Sequence, residues 1–378
     1  MATVSPPSRT SSVTIMGGGV VGCFLAYCLA LAGMPVTVIE RERIGAGATG
    51  ASAGNVQAVT GPCAPLEAVF GAESLRRWRH YLPAIKEESG IDPLDHEIRY
   101  LYAALEEQDV AELQVLASEL QARGLNTEWI DAAAALDLES RLNPGILGGM
   151  LHQDVIQMDA QRCVNALETI VRARGGTFIE GKVTGLRQDG DRVHGVTLSD
   201  GSAVACETLV LALGGWTGIA LSRWLGVSLP IQPYSLQKLH VQPIGAPLGC
   251  AVRWQGINIV TRRDGKVHVG SKHEDTGLTA QPSAAGQQWL LEGFHTILPG
   301  VEVNLVEAIA GLAAFIPDPE RTPILGRVPD MDNIYVAVPS TNGFLLSGLM
   351  ASSLADYLVS GREDPFMQHM RPDRFIEV

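Results

Sequence analysis

Charge is scarce in this chain. Only 18% of its 378 residues are Asp, Glu, Lys or Arg, against roughly 25% in ordinary soluble domains. With 46% hydrophobic residues it is still no disordered sequence, because those are poor in apolar residues and rich in charge. Basic residues are the scarcer sign: 28 Lys+Arg against 41 Asp+Glu leave a net charge of −13. That balance argues against nucleic acid or an anionic membrane surface as the main partner. The six cysteines (Cys23, Cys28, Cys63, Cys163, Cys206 and Cys250) form no C-x-x-C and no Cys/His cluster at zinc spacing. Neither a zinc module nor a disulfide scaffold is expected, and scattered thiols suit a reduced, cytoplasmic setting. Residues 1–11 (MATVSPPSRTS) lack the basic start and apolar run of a signal peptide, so they are expected to be a loose polar tail.

The scarcity is concentrated in two stretches, Val13–Ile39 and Ile334–Ala355, which carry no charge at all. Length alone would allow either to be a membrane span. The first is punctuated: Val13–Met16 is a β-type run, Gly17-Gly18-Gly19 breaks it, Val20–Leu31 is helix-forming, Gly33-Met34-Pro35 stops it and Val36–Ile39 is β-type again. Strand–turn–helix–turn–strand is a βαβ unit, so no integral membrane span is expected here. Further on, helical patterning is expected from Leu66 to about Arg141, over Asp159–Arg174 and over Ser283–Leu298. Short strands follow Thr177, with hairpin turns at Gly190 and Asp200-Gly201. At ~100–200 residues per domain, two domains are expected.

Gly17-x-Gly19-x-x-Gly22 follows a strand and opens a helix. The first glycine permits the tight turn, the second lets backbone N–H groups approach a pyrophosphate, and the third brings helix and sheet together. Glu40 stands 18 residues beyond Gly22, at the end of the next strand, where a carboxylate accepts hydrogen bonds from ribose hydroxyls. An acid here disfavours a 2′-phosphate and leaves FAD or NAD. The following segment, Arg41 through Ala48, Thr49, Ser52, Ala53, Gly54 and Asn55, is a long loop of small residues. An NAD domain normally proceeds to a helix there, whereas such a loop can lie flat against an extended cofactor and offer it backbone amides. This favours FAD.

With these features the chain resembles the FAD-dependent oxidoreductases of the D-amino acid oxidase type, which include glycine and sarcosine oxidases. Four blocks carry the resemblance in order: GGGVVG with Glu40-Arg41, the GATGASAGN loop, VLALGGWT at Val210–Thr217, and Thr322–Ser347. It implies an α/β fold: a Rossmann-type FAD-binding domain from residues 12–85, 143–230 and 319–378, and a second, mixed β-sheet substrate domain from 86–142 and 231–318. It also implies that Gly17, Gly19, Val20, Val21 and Gly22 cradle the cofactor, that the Val183 backbone meets the adenine, and that Gly214 and Trp216 line the adenosine side. Thr341, Asn342, Gly343, Phe344 and Leu345 would put a helix N-terminus at the flavin ring, where reduced flavin carries negative charge. The second charge-free stretch then also becomes strand–turn–helix. Relatives that attach flavin covalently use a His in the loop after Glu40 or a Cys near the last glycine block. Neither is present, so non-covalent FAD is expected.

The implied chemistry is oxidation of a C–N bond: hydride passes from the carbon bearing a neutral amine to flavin N5, and the imine is hydrolysed. The partners expected are a small-molecule amine and either O2 or an electron-acceptor protein. Amino-acid oxidising relatives clamp the substrate carboxylate with Arg, yet the two matching positions are Ala313 and Thr341. Arg253, Arg262, Arg263 and Lys272 are candidate substitutes. Strands Gln232–Val241, Ile257–Thr261 and Lys266–Lys272 are expected to face the flavin, bringing Tyr234, Lys238, His240, Asn258, His268 and Lys272 into question. Tyr234, His268 and Lys272 are the catalytic candidates, His268 because a basic residue near this point assists oxygen in sarcosine oxidase-like relatives. Two other activities stay open: oxidation of a 2-hydroxy acid, and service as the flavin-carrying electron-transfer subunit of a heteromeric dehydrogenase.

Overall fold

Val13–Met16 lies inside a six-stranded sheet, paired in parallel with Val36–Glu40 on one side and Thr208–Leu211 on the other. Thr177–Glu180 and Ile334–Val338 extend the sheet in parallel on the two sides, and antiparallel Ile324–Arg327 closes one edge. The computed structural model describes residues 12–58, 65–96 and 98–375; the expected tail and Cys63 lie outside them. Helix Val20–Leu31 is apolar on every side and buried from Val20 to Ala30, as a helix enclosed by protein on all sides must be. It packs against helices Ala160–Ala173 and Gly343–Ser360. The latter is long and apolar enough to cross a membrane, but 72% of it is buried inside the fold.

The few aromatics gather where these helices meet: Phe24 stacks on Trp78 with ring centroids 4.5 Å apart, and Tyr81 meets Phe24 edge-on. Helix Pro65–Ser89, which supplies Trp78, is tied to the last helix by polar contacts as well. The Trp78 indole donates to the Phe344 carbonyl at 2.8 Å, and Arg77 reaches Ser352, Ser353 and Asp364 while also pairing with Glu73.

The second sheet is mixed and has eight strands, in the order Val303–Phe315, Gln232–Pro243, Val267–Glu274, Ile257–Thr261, Ala251–Trp254, Tyr100–Ala104, Gly148–His152 and Thr127–Asp131. All neighbours are antiparallel except Ala251–Trp254 with Tyr100–Ala104. Helix Ala284–Ile297 lies on it, with Leu290, Phe294 and Ile297 in the core. One expectation needs correction. The span from Leu66 to Arg141 is not helical throughout: strands Tyr100–Ala104 and Thr127–Asp131 interrupt it. Tyr100–Ala104 is buried at all five positions, so it shows no alternation to read. Strand Gly148–His152 pairs within this sheet, with Tyr100–Ala104 and Thr127–Asp131. The capped helices came out as expected, with Asp159 accepting from Arg162 N and Ser283 from Gly286 N.

Arg77 is the test of how the last helix is held. Burial alone would raise the Asp364 carboxyl, but Arg77, Phe366 N–H and Ser353 outweigh it and hold it below its usual range. Side chains of Arg77 and Asp364 are only 14% and 13% exposed. Arg77→Ala is expected to destabilise the protein by about 3 kcal/mol, because the mostly buried Asp364 loses its partner and Glu73 keeps only Arg76. Since the Asp364 value is depressed on folding, its contribution is present above pH ~4 and lost as pH falls through the folded value. Urea unfolding of both proteins at neutral and acidic pH measures this; equal midpoints at neutral pH would overturn it.

Candidate active site

A cleft of about 730 Å³ runs between the two sheets. At one end the glycine turn forms its floor. Gly17 has φ +112°, and a Cβ there would sit 2.3 Å from the Ala212 carbonyl oxygen. Gly22 lets the helix descend onto the turn, since a Cβ would sit 2.0 Å from Gly17 O; it serves from behind, while Gly17, Gly19, Val20 and Val21 face the cleft. Gly19 caps the helix with no side chain of its own, and Val20 N–H donates to Thr49 Oγ1 at 3.0 Å. Glu40 is held by Gly18 N–H at 2.8 Å and Glu42 N–H at 3.1 Å. Arg41 lies 4.5 Å over the Trp216 ring.

The loop contributes Ala48, Thr49 and Ser52 to the lining, and the opposite side contributes Val183, Gly214 and Trp216. Ala53, Gly54 and Asn55 are not in the lining; they are engaged behind it. Gln157 and Arg262 donate to Ala53 O, Met158 N–H donates to Gly54 O, and Asn55 pairs with Gln157 across a short ladder. At the other end stand Thr341, Gly343 and Phe344, at the start of a helix whose N-cap, Asn342, offers no side-chain cap. Asn342 and Leu345 adjoin this end without lining it; Asn342 Nδ2 instead donates to Glu67 Oε1 at 3.4 Å. Thr341 has φ +64°, a costly left-handed conformation of the kind that gathers at functional sites.

The three catalytic candidates stand back from the cleft. Tyr234 packs on Phe315 and His273, with ring centroids 5.5 Å away in each case. Lys272 holds its ammonium 4.5 Å over the Trp289 ring. His268 is 1% exposed and faces His240; burial first, then Lys238, His240 and Arg262, hold its imidazole well below the usual value. Arg41, Lys182, Arg223 and Lys238 are the basic residues of the lining, and Lys238, on the strand beside that of His268, is the buried one. It is 5% exposed, donates to Ala51 O, and burial pushes its amine down to about 7. Its sequence signal was a cation in a β-type run, Leu236-Gln237-Lys238-Leu239-His240-Val241, which does not by itself tell which side faces the cleft.

Of the substitute cations, Arg262 pairs with Asp95 and Asp159, and Arg263 bonds Asp95 through its backbone N–H and Nε. Arg253 donates to Asn258 Oδ1 at 2.7 Å. Both clamp positions, Ala313 and Thr341, line the cleft, so its wall is neutral there. Among the described residues no cluster of His, Cys, Asp and Glu could hold a metal ion.

An extended dinucleotide fits these residues. The turn presents backbone where any Cβ would collide, a carboxylate is fixed at the strand end, and two helices begin at the cleft without a side chain of their own as cap. Trp224, also in the lining, has an indole N–H with no partner among the described residues. A cradle of this kind opening onto a mixed sheet defines a flavin-dinucleotide oxidoreductase. Residues 12–357 match the family model described as FAD dependent oxidoreductase (DAO), and the chain belongs to that family. It is similar to a glycine oxidase of Pseudomonas aeruginosa (29% identical, covering 93% of this chain and 95% of the relative). A D-amino acid dehydrogenase of Rhizobium rhizogenes is 26% identical over 93% of this chain and 96% of its own. The glycine oxidase structure from Geobacillus kaustophilus superimposes with a TM-score of 0.87 at 26% identity, covering 97% of this chain and all of that one. The chain is thus an FAD-dependent enzyme that oxidises C–N bonds of amines or amino acids, and the hydroxy-acid and electron-carrier alternatives are not favoured.

Glu40→Ala removes the carboxylate expected to accept from the ribose. Hydrogen bonds to a charged group contribute about 1.5–3 kcal/mol, so FAD affinity is expected to fall roughly ten- to hundredfold. Titrating apoprotein with FAD by flavin fluorescence checks this, and unchanged affinity would count against the ribose role.

Proposed function

We propose that the substrate is a small secondary amine or modified amino acid, and that FAD is held without a covalent bond. The observation that carries this reading is the wall beside the flavin end of the cleft: Ala310, Ala313 and Ala314 with one buried amine, Lys238. Such a wall suits a neutral amine, desolvated and positioned against its oxidant, better than a small dianionic or strongly clamped ligand. Bound FAD would accept hydride from the carbon bearing nitrogen. The chain's share is to hold that carbon in place, keep water out with small apolar side chains, and set charge at the ring through the Gly343 helix N-terminus.

Two sequence facts support non-covalent attachment. Residues 41–58 contain neither His nor Cys, and no cysteine follows Cys250. Oxygen or a separate electron acceptor completes the cycle, and production of hydrogen peroxide tells which. Five described cysteines are free and buried, which supports the cytoplasmic setting.

Anaerobic mixing of the yellow holoenzyme with amines, N-methyl amino acids and hydroxy acids is the test. Bleaching by the nitrogen compounds is expected, while bleaching by hydroxy acids alone would sink the reading. Acid precipitation is expected to release the colour into the supernatant; a yellow pellet would show a covalent link.

A further inference from the structure

Lys238 has a backbone acceptor, Ala51 O, and among the described residues it makes no ion pair. A proton placed on it needs a way out, and strand register supplies one. His268 lies opposite His240 on one neighbouring strand, and Glu307 lies opposite His240 on the other. The three side chains therefore form a row across the sheet. Glu307 Oε1 is 2.8 Å from His240 Nδ1, and His240 Nε2 is 3.2 Å from His268 Nδ1. Exposure falls inward along it: the Glu307 side chain is 53% exposed, that of His240 20%, and His268 as a residue 1%. At the inner end, a Cβ on Gly270 would stand 2.6 Å from Lys238 Cγ and 3.2 Å from His268 Nε2. Glycine's missing side chain thus leaves open the space between the aliphatic stem of Lys238 and His268 Nε2.

The row has one consistent polarity. An ionised carboxylate only accepts, so His240 carries its proton on Nδ1 and accepts at Nε2. His268 then donates from Nδ1, and its bare Nε2 is on the Lys238 side. We propose that Glu307, His240 and His268 conduct protons between Lys238 and solvent, and that Lys238 takes the proton of the incoming substrate ammonium; this rests on the amine-oxidation reading above.

The steps balance without moving electrons. The substrate N–H breaks as a third Lys238 Nζ–H forms. Turning from Ala51 O, the ammonium gives a proton to His268 Nε2. His268 Nδ1–H passes to His240 Nε2, and His240 Nδ1–H to Glu307 or water. Reduction of the electron acceptor draws protons back along the row and restores the starting tautomers. Lys238 near 7 exchanges its proton readily around neutral pH, and His268, held neutral, passes protons without keeping them. Around the row stand Arg262 beside His268, Lys266 beside Glu307, and His273 beside Lys238, with Arg253, Lys272 and Arg321 near His273.

The test is NMR of holoenzyme labelled with 15N in lysine and histidine, below pH ~7 where the amine holds its proton. Both His240 and His268 are expected as Nδ1–H tautomers. His240→Ala is expected to slow solvent exchange of the Lys238 amine protons by about 100-fold, the lower end of a proton-transfer effect, and added imidazole to restore it. A purely structural role would not respond to imidazole. Glu307→Gln, a surface change, is expected to slow exchange in the same direction. Unchanged exchange in both variants, or the Nε2–H tautomer at His268, overturns the conduit. This readout needs no substrate. The amine-oxidation reading is judged separately by bleaching, and unimpaired bleaching of Lys238→Met would remove the lysine's role while leaving the reaction standing.

Discussion

Everything at the cleft depends on how closely the first helix can lie against the first strand. Gly17 must accept the Ala212 carbonyl and Gly22 must accept Gly17's own. Only a chain without Cβ atoms at those positions brings the helix start, with its free N–H groups, to the strand end where Glu40 waits. From that contact the other walls take their places. Thr49 reaches Val20 N–H, and the loop behind Thr49 is thin enough for strand Val303–Phe315 to press on it at Gly311, where a Cβ would meet Ala51 and Ala48. The second sheet is thus seated on the first through residues with almost no side chain.

That thinness has an electrostatic counterpart. A wall made of glycine and alanine screens nothing and solvates nothing, so the charged group within it is left with a single backbone acceptor. Burying an amine disfavours its charged form, and Lys238 is accordingly poised between its two states. The same burial, acting on His268, keeps a potential cation neutral. Two basic groups on adjacent strands are driven in the same direction by one cause, yet from such different starting values that one titrates near neutrality and the other does not.

Much of the fold was legible because its punctuation is local. The glycine spacing, the acid at residue 40, the caps at Asp159 and Ser283 and the break at Gly343 each act within a turn of their own position, and each stands where it was expected. The buried strands Tyr100–Ala104 and Gly148–His152 were not legible, since neither side is wet and no alternation results. The catalytic side was harder for a related reason. Alternation tells that Lys238 and His240 share a face, but which strand borders the cleft is decided by pairings between residues far apart in sequence. His268 was an expected catalytic group and Lys238 is the buried base at the wall; the register sets Lys238 opposite Gly270, two residues along the neighbouring strand from His268.

The first sheet's order also governs when the protein becomes a flavoprotein. Strand Val13–Met16 precedes all its partners in the chain: its sheet takes in residues near 36, 177, 208 and 334, and the helix from Gly343 closes the cleft's far end. A ribosome that has not yet made that helix holds a chain whose cleft has only one of its two ends. Both ends exist together only once Gly343–Ser360 has folded, and loss of that helix opens the cleft while most strands of both sheets remain in the chain.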